Sequence, residues 1–298
     1  MTLRLVSPDR FVRHVPLGFA FRDASDLSLI GDGLNVTVTD ASRPWRKAKL
    51  MPTPSGTWMT PRLPGLDAVL SQNPADWPTH QRSFVVTVAD DLRRFLPVQF
   101  TADLPVRGRF AWPSWSGLAA GPIAPLLPAG APAGYAPDYL PLFPAIARTA
   151  PGPRATVRAQ LAVRQADGTD LPARWAAMTV SVSGVVIGLG IADAGGAIVV
   201  SGAYPALPSQ TVEEAAAGRS EVTWQAAIKV YYGKLAGDPP ALADILGQLS
   251  QPATKALATL KPAEPELPAQ TLVLGRPLTL ATSKTATERF SSLYLKAN

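Results

Sequence analysis

The sequence predicts a mainly β protein built as two tandem β-sandwiches, the second carrying short helical insertions. Three observations lead there. Apolar and polar residues alternate with a period of two through many short segments, the pattern of strands buried on one face. The 31 prolines and 23 glycines are scattered between those segments rather than gathered into repeats, as turn formers are. All 11 acidic residues before residue 150 are Asp, and Asp suits turns and caps where Glu suits helix interiors.

At 298 residues the chain is about twice the usual domain size. With 47% hydrophobic and 17% charged residues it can build real cores. The expected organisation is a first sandwich over 1–109, a Pro-rich apolar connector or arm over 110–153, and a second sandwich over 154–298.

In the first half, residues 18–22 form an opening strand before a turn at Asp23 to Asp26. Residues 34–39 follow, with Leu34, Val36 and Val38 on one face and Asn35, Thr37 and Thr39 on the other. Residues 57–60 come after the turn Pro54-Ser-Gly56. Residues 83–89 and 95–100 read as a hairpin closed over 90–94.

The connector is rich in proline and nearly uncharged, yet carries Trp112, Trp115, Leu126, Leu127, Tyr135 and Tyr139. These six are the candidate protein-contact residues. Two readings stand open: a connector packed over its own sandwich, or an arm lying on a neighbouring subunit.

The second half restarts the same grammar. Val157, Ala159, Leu161 and Val163 alternate along residues 155–164. Strands are expected over 178–182, 185–187, 197–200 and 221–232, with a closing hairpin of 271–274 and 278–280 over Gly275. Two insertions read as helical. One starts at the capping-box spacing of Thr211 and Glu214. The other, over about 239–260, has Asp238 as N-cap and Leu242, Ile245, Leu246 and Leu249 at helical spacing. Pro252 ends or kinks it, with Ala256, Leu257 and Leu260 continuing the apolar face.

The order of motifs repeats. The segment 33–38, the turn at 53–56 and Leu63-Pro-Gly-Leu66 correspond to the segment 177–182, the turn Asp193-Ala-Gly-Gly196 and Ala203-Tyr-Pro-Ala-Leu207. This is read as an internal duplication.

That order resembles the carboxypeptidase-regulatory-like, transthyretin-like sandwich, within the wider immunoglobulin-like class of folds. Asp193-Ala-Gly-Gly196 matches its Asp-Gly turn, whereas Thr53-Pro-Ser-Gly56 lacks the Asp. The chain as a whole is similar to two-sandwich proteins of phage tail-like contractile injection systems. The segments that carry the likeness are Phe84-Val-Val-Thr-Val-Ala-Asp90, Arg94-Phe-Leu-Pro-Val98, Leu142-Phe-Pro-Ala145 and residues 155–161. The resemblance implies a structural or adaptor subunit working by contacts with other protein subunits, or with its own kind as a homo-oligomer. It implies no catalytic residues.

The residues themselves offer no reaction centre. Cysteine is absent, which excludes disulfides and thiolate metal sites. His14 and His80 are each alone in their segments. Gly188-Leu-Gly190 follows an apolar strand, but Asp193 stands in the third glycine's place of a dinucleotide loop. Asp90 and Asp91 are adjacent and shape a turn rather than converge. No catalytic, cofactor or metal site is therefore expected.

The net charge of +6 is spread out except for Arg43, Arg46, Lys47 and Lys49, interleaved with Pro44 and Trp45. Such a cluster grips nucleic acid in some proteins and is a solvated loop in more; nucleic acid is not the expected partner. Trp45, Trp58 and Trp77 leave a carbohydrate-binding module as the alternative function. No membrane span and no signal peptide are read. Synthesis in the cytoplasm is expected, with release or envelope association only as part of a larger particle.

Overall fold

The computed structural model describes residues 17–70, 74–77, 82–106, 109–118, 120–132, 134–148, 152–165, 168–205, 221–260, 264–285 and 287–296. The first sandwich contains β1 (Phe19–Asp23), β2 (Leu34–Asp40), β3 (Lys47–Lys49), β4 (Met51–Pro52), β5 (Thr57–Met59), β6 (Arg82–Asp90) and β7 (Val98–Leu104). One sheet has the order β3-β2-β6-β7. The other is β4-β5-β1-β8, where β8 (Leu140–Leu142) comes from the Pro-rich segment and runs parallel to β1. The first sandwich is thus completed by residues beyond 109.

The second sandwich contains β9 (Ala155–Arg164), β10 (Asp170–Pro172), β11 (Ala177–Val182), β12 (Val185–Ile191), β13 (Ala197–Gly202), β14 (Thr223–Tyr231), β15 (Gln270–Val273), β16 (Leu278–Leu280) and β17 (Leu293–Lys296). One sheet has the order β12-β11-β14-β15. The other is built on β9, which pairs antiparallel with β13 and β10 and parallel with β16 and β17.

The two sandwiches repeat one strand order. β9 stands where β1 does, β11 and β12 where β2 and β3 do, and β13 where β5 does. β14 and β15 take the places of β6 and β7, and β16 runs parallel to β9 as β8 does to β1. The duplication read from the motif order has this topological counterpart.

Alternation is the cause of both cores. Leu34, Val36 and Val38 of β2 are buried while Asn35, Thr37 and Thr39 are half-buried. Val157, Ala159, Leu161 and Val163 of β9 all face the second core. In the first core Phe19 meets Phe100 and Phe110 edge-on, with ring centroids 5.4 and 5.2 Å apart. Each such pair contributes about 0.5–1.5 kcal/mol beyond burial.

Aspartate closes the strand ends. Asp23, Asp40 and Asp90 sit at the last positions of β1, β2 and β6. Each accepts the N–H two residues on, from Ser25 at 2.8 Å, Ser42 at 2.9 Å and Leu92 at 3.4 Å. A side chain one methylene longer would overshoot that donor, which is why the acids here are Asp. Each carboxylate is buried and paired with an arginine: Arg148, Arg82 and Arg94 respectively.

Several local expectations are corrected. The segment 95–100 enters β7 only at Val98; Phe95 and Leu96 instead bind the connector, Leu96 N–H donating to Phe143 O at 2.8 Å. β15 and β16 do not form a hairpin. After the turn at Gly275 the chain crosses, so β15 joins β14 in one sheet and β16 joins β9 in the other. The helix expected over 239–260 is α3 (Leu242–Gly247, following the short α1 at Asp67–Leu70 and α2 at Ala120–Ile123), continued by one 3-10 turn at Gln248–Ser250. Asp238 does not cap it. Pro239 and Pro240 push the residues before them out of helical geometry, so the helix waits until Leu242. Asp238 pairs with Arg174 at 2.6 Å instead. Beyond Pro252 the chain is extended, and Ala256 and Leu257 are buried against β17 rather than on a helix. The helix expected from Thr211 lies outside the described residues.

Candidate interaction surfaces

The six connector residues have three different fates. Trp112, Trp115, Leu126 and Tyr139 are buried in this chain's own core, so the sequence expectation that they face a partner is corrected. Trp115 lies between Trp112, 5.5 Å away, and Tyr139, 6.2 Å away. The Tyr139 hydroxyl donates to Leu126 O at 2.6 Å, holding these two buried parts of the connector together. Leu127 is half-buried and Tyr135 is exposed. The physical reason is that residues 113–117 and 120–126 fold into tight 3-10 and helical turns, which direct Trp115, Ile123 and Leu126 inward.

Those side chains belong to a core that does not stop at the first sandwich. The same cluster takes in Trp175, Ala177, Leu189, Ile191 and Tyr231 of the second sandwich, and Leu242, Ile245, Leu246 and Leu249 around α3. One end of β11 and β12, at Ala177, Leu189 and Ile191, is thereby covered. Arg154 crosses the junction and donates to Ser25 O. The two sandwiches are docked through apolar contact, with the connector as the filling.

Gly188-Leu-Gly190 is part of this architecture and holds no nucleotide loop. Both glycines lie in β12, against β13. A Cβ at Gly188 would come within 2.8 Å of the Val200 side chain, so their absence of side chains lets the two sheets close at that edge.

The basic cluster has the opposite fate to the connector. Arg43, Lys47 and Lys49 are exposed and Arg46 is half-buried. Among the described residues none of the four forms an ion pair. Lys47 and Lys49 lie on β3, the edge of its sheet, opposite Thr39 and Thr37 of β2. Trp45 is 74% and Met51 63% exposed, one on each side of this strand in sequence.

Of the three tryptophans considered for sugar stacking, only Trp45 is outside. Trp58 is buried, its Nε1 donating to Ile30 O at 3.1 Å, and Trp77 is buried as well. A single exposed ring is no platform for a polymer chain.

Among the described residues no group of three metal-ligating side chains occurs. His14 and His80 lie outside the described residues. Asp90 faces Arg94, which donates to it from N at 2.5 Å, Nε at 3.0 Å and NH2 at 3.0 Å, while Asp91 stays exposed. Burial alone would raise the Asp90 carboxyl, but the Arg94 hydrogen bonds outweigh it and hold the group below its ordinary range. The Ser42 hydroxyl does the same for Asp40. A cavity of about 710 Å³ is lined by Arg164, Leu257, Glu264, Lys284, Phe290 and Lys296 among others. Its lysines are already paired, Lys284 with Glu288 and Lys296 with Glu264, both at 3.3 Å. Among the described residues no helix is long and apolar enough to cross a membrane.

No known protein family, no curated protein and no solved structure matches this chain.

Proposed function

We propose that this chain is a non-enzymatic structural or adaptor subunit of a phage tail-like contractile injection particle, acting through contacts with other protein subunits. The observation that carries the reading is the continuous core joining both sandwiches. Two modules linked for separate tasks would meet through a polar, separable interface. Here the connector and α3 fill the junction with buried Trp, Leu and Ile, which suits a rigid spacer that transmits position. Of the segments resembling those of such particles, Phe84–Asp90 lies in β6 and residues 155–161 lie in β9, a framework strand of each sandwich. Asp23, Asp40 and Asp90 are committed to strand ends, where each accepts main-chain N–H groups and pairs with an arginine.

The test is assembly. The tagged chain, expressed beside the other genes of a contractile particle from the same source, is expected to sediment with sheath, tube or baseplate proteins. A chain that stays at the top of the gradient while particles form without it would end this reading.

A further inference from the structure

We propose that the free edge of β3 receives an extended acidic segment of a partner protein as an added antiparallel or parallel strand. This rests on the reading of the chain as a protein-contact component and names the chemistry of one partner.

The main chain is arranged for it. Leu50 N–H donates to Val36 O and Asp40 N–H donates to Arg46 O, both at 2.9 Å. Arg46, Ala48 and Leu50 therefore turn their peptide groups toward β2. By the alternation of an antiparallel ladder, Lys47 and Lys49 turn theirs away. Among the described residues those outward N–H and C=O groups have no partner. An added strand meets two donors and two acceptors at strand spacing.

The side chains select what is added. Lys47 and Lys49 are exposed on the outer face, and among the described residues no carboxylate pairs with either, nor with Arg43 and Arg46 just before them in sequence. Carboxylates at alternate positions of an incoming strand would stand opposite the two lysines as cross-strand pairs. The same lysines set like charge against like in a second copy of this edge, which disfavours self-pairing. Trp45 and Met51 offer exposed apolar area at either end of the strand for flanking residues.

Three other edges are closed by different means. The β7 side is covered by the connector, through Leu96 to Phe143 and Ala145 to Arg94, and by the bridge of Gln99 to Ala241 beside α3. β4 and β10 carry Pro52 and Pro172, which remove a donor. β3 has no proline and no cover among the described residues.

The probe is a fluorescent ten-residue peptide of alternating Glu and Thr, titrated against the intact chain by anisotropy. Binding is expected, weakened about tenfold or more by K47E/K49E. Because both lysines are exposed, the variant's thermal midpoint should match the parent's. A second peptide of the same sequence and charge, with every main-chain nitrogen methylated, cannot donate to the edge and is expected to lose binding to a similar degree. No binding of the first peptide at millimolar concentration would overturn the proposal. So would equal binding of the N-methylated peptide, or tighter binding of a single-stranded oligonucleotide that displaces the acidic peptide. Particle sedimentation of the intact chain separates the two readings: a chain that joins particles yet ignores the peptide refutes the edge and leaves the subunit role standing.

Discussion

The side-chain amide of Gln248 donates to the main-chain carbonyl of Trp175 at 2.9 Å, and its oxygen accepts the N–H of Gly233 at 2.7 Å. Gln248 follows directly on α3, whose Leu242, Ile245 and Leu246 belong to the core shared with the first sandwich. One buried amide thus anchors the helix to the second sandwich while its apolar face reaches the first.

Replacing Gln248 by Leu leaves a buried N–H and a buried carbonyl without partners. Each such group costs about 1–3 kcal/mol. Scanning calorimetry of Q248L is expected to show a lower midpoint. Because the core is continuous, parent and variant should each unfold in one transition; two separated transitions in the parent would contradict the shared core.

The connector gives a second test. Leu126 is buried and its neighbour Tyr139 binds its carbonyl. Leu126→Ala is expected to cost about 2–5 kcal/mol, read from denaturant unfolding followed by tryptophan fluorescence. A change within experimental error would mean that the connector stands away from the body in solution.

Acid stability should depend on Asp90. Its carboxyl is held below the ordinary range, so the fold favours the charged form. That contribution is complete above the unfolded value of about 4 and is lost as pH falls through the lower folded value. Asp90→Asn is expected to be about 2 kcal/mol less stable at neutral pH, with a shallower loss of stability below pH about 5. Chemical denaturation across an acid pH series measures both.

Alkaline stability should depend on Tyr139. Burial pushes its phenol up to about 12. The fold therefore favours the neutral form, and this contribution is intact below the unfolded value of about 10 and lost as pH rises toward the folded one. Absorbance titration near 295 nm should show one late tyrosine fewer in Tyr139→Phe, which should be about 1 kcal/mol less stable at neutral pH.

Alternation made the framework legible, because a side chain's face in a strand follows directly from its position: Val36, Val38, Leu161 and Val163 were placed correctly by counting in twos. The Asp-only composition was legible as turn chemistry, and Asp193 accepting N–H from Gly195 at 2.8 Å and Ala197 at 2.9 Å is the turn the motif implied. Gly196 beside it has φ of +84°, and a Cβ there would overlap Leu161 O. What was not legible was non-local. For Trp112 and Trp115 the sequence leaves open whether they pack on their own sandwich or on a neighbour, because a Pro-rich stretch has no periodicity to reveal which side faces in. The crossing between β15 and β16 looked like a hairpin because a turn's sequence sets a reversal but not which sheet receives the next strand. The edge position of β3 has a local trace, two lysines flanking one alanine in a strand, and that signal was read only as a charge cluster.

The repeated strand order has an end result that neither copy shows by itself. At one end of the sheet β12-β11-β14-β15, Ala177, Leu189, Ile191 and Tyr231 are covered by the shared core, while Thr223, Gln225 and Lys229 farther along stay exposed. Its counterpart β3-β2-β6-β7 keeps Thr37, Thr39, Thr87 and Thr101 in contact with water, alongside Lys47 and Lys49. Twin modules have become a front and a back. Whatever surface this molecule joins, it must join in one orientation, since turning it end for end presents a different face.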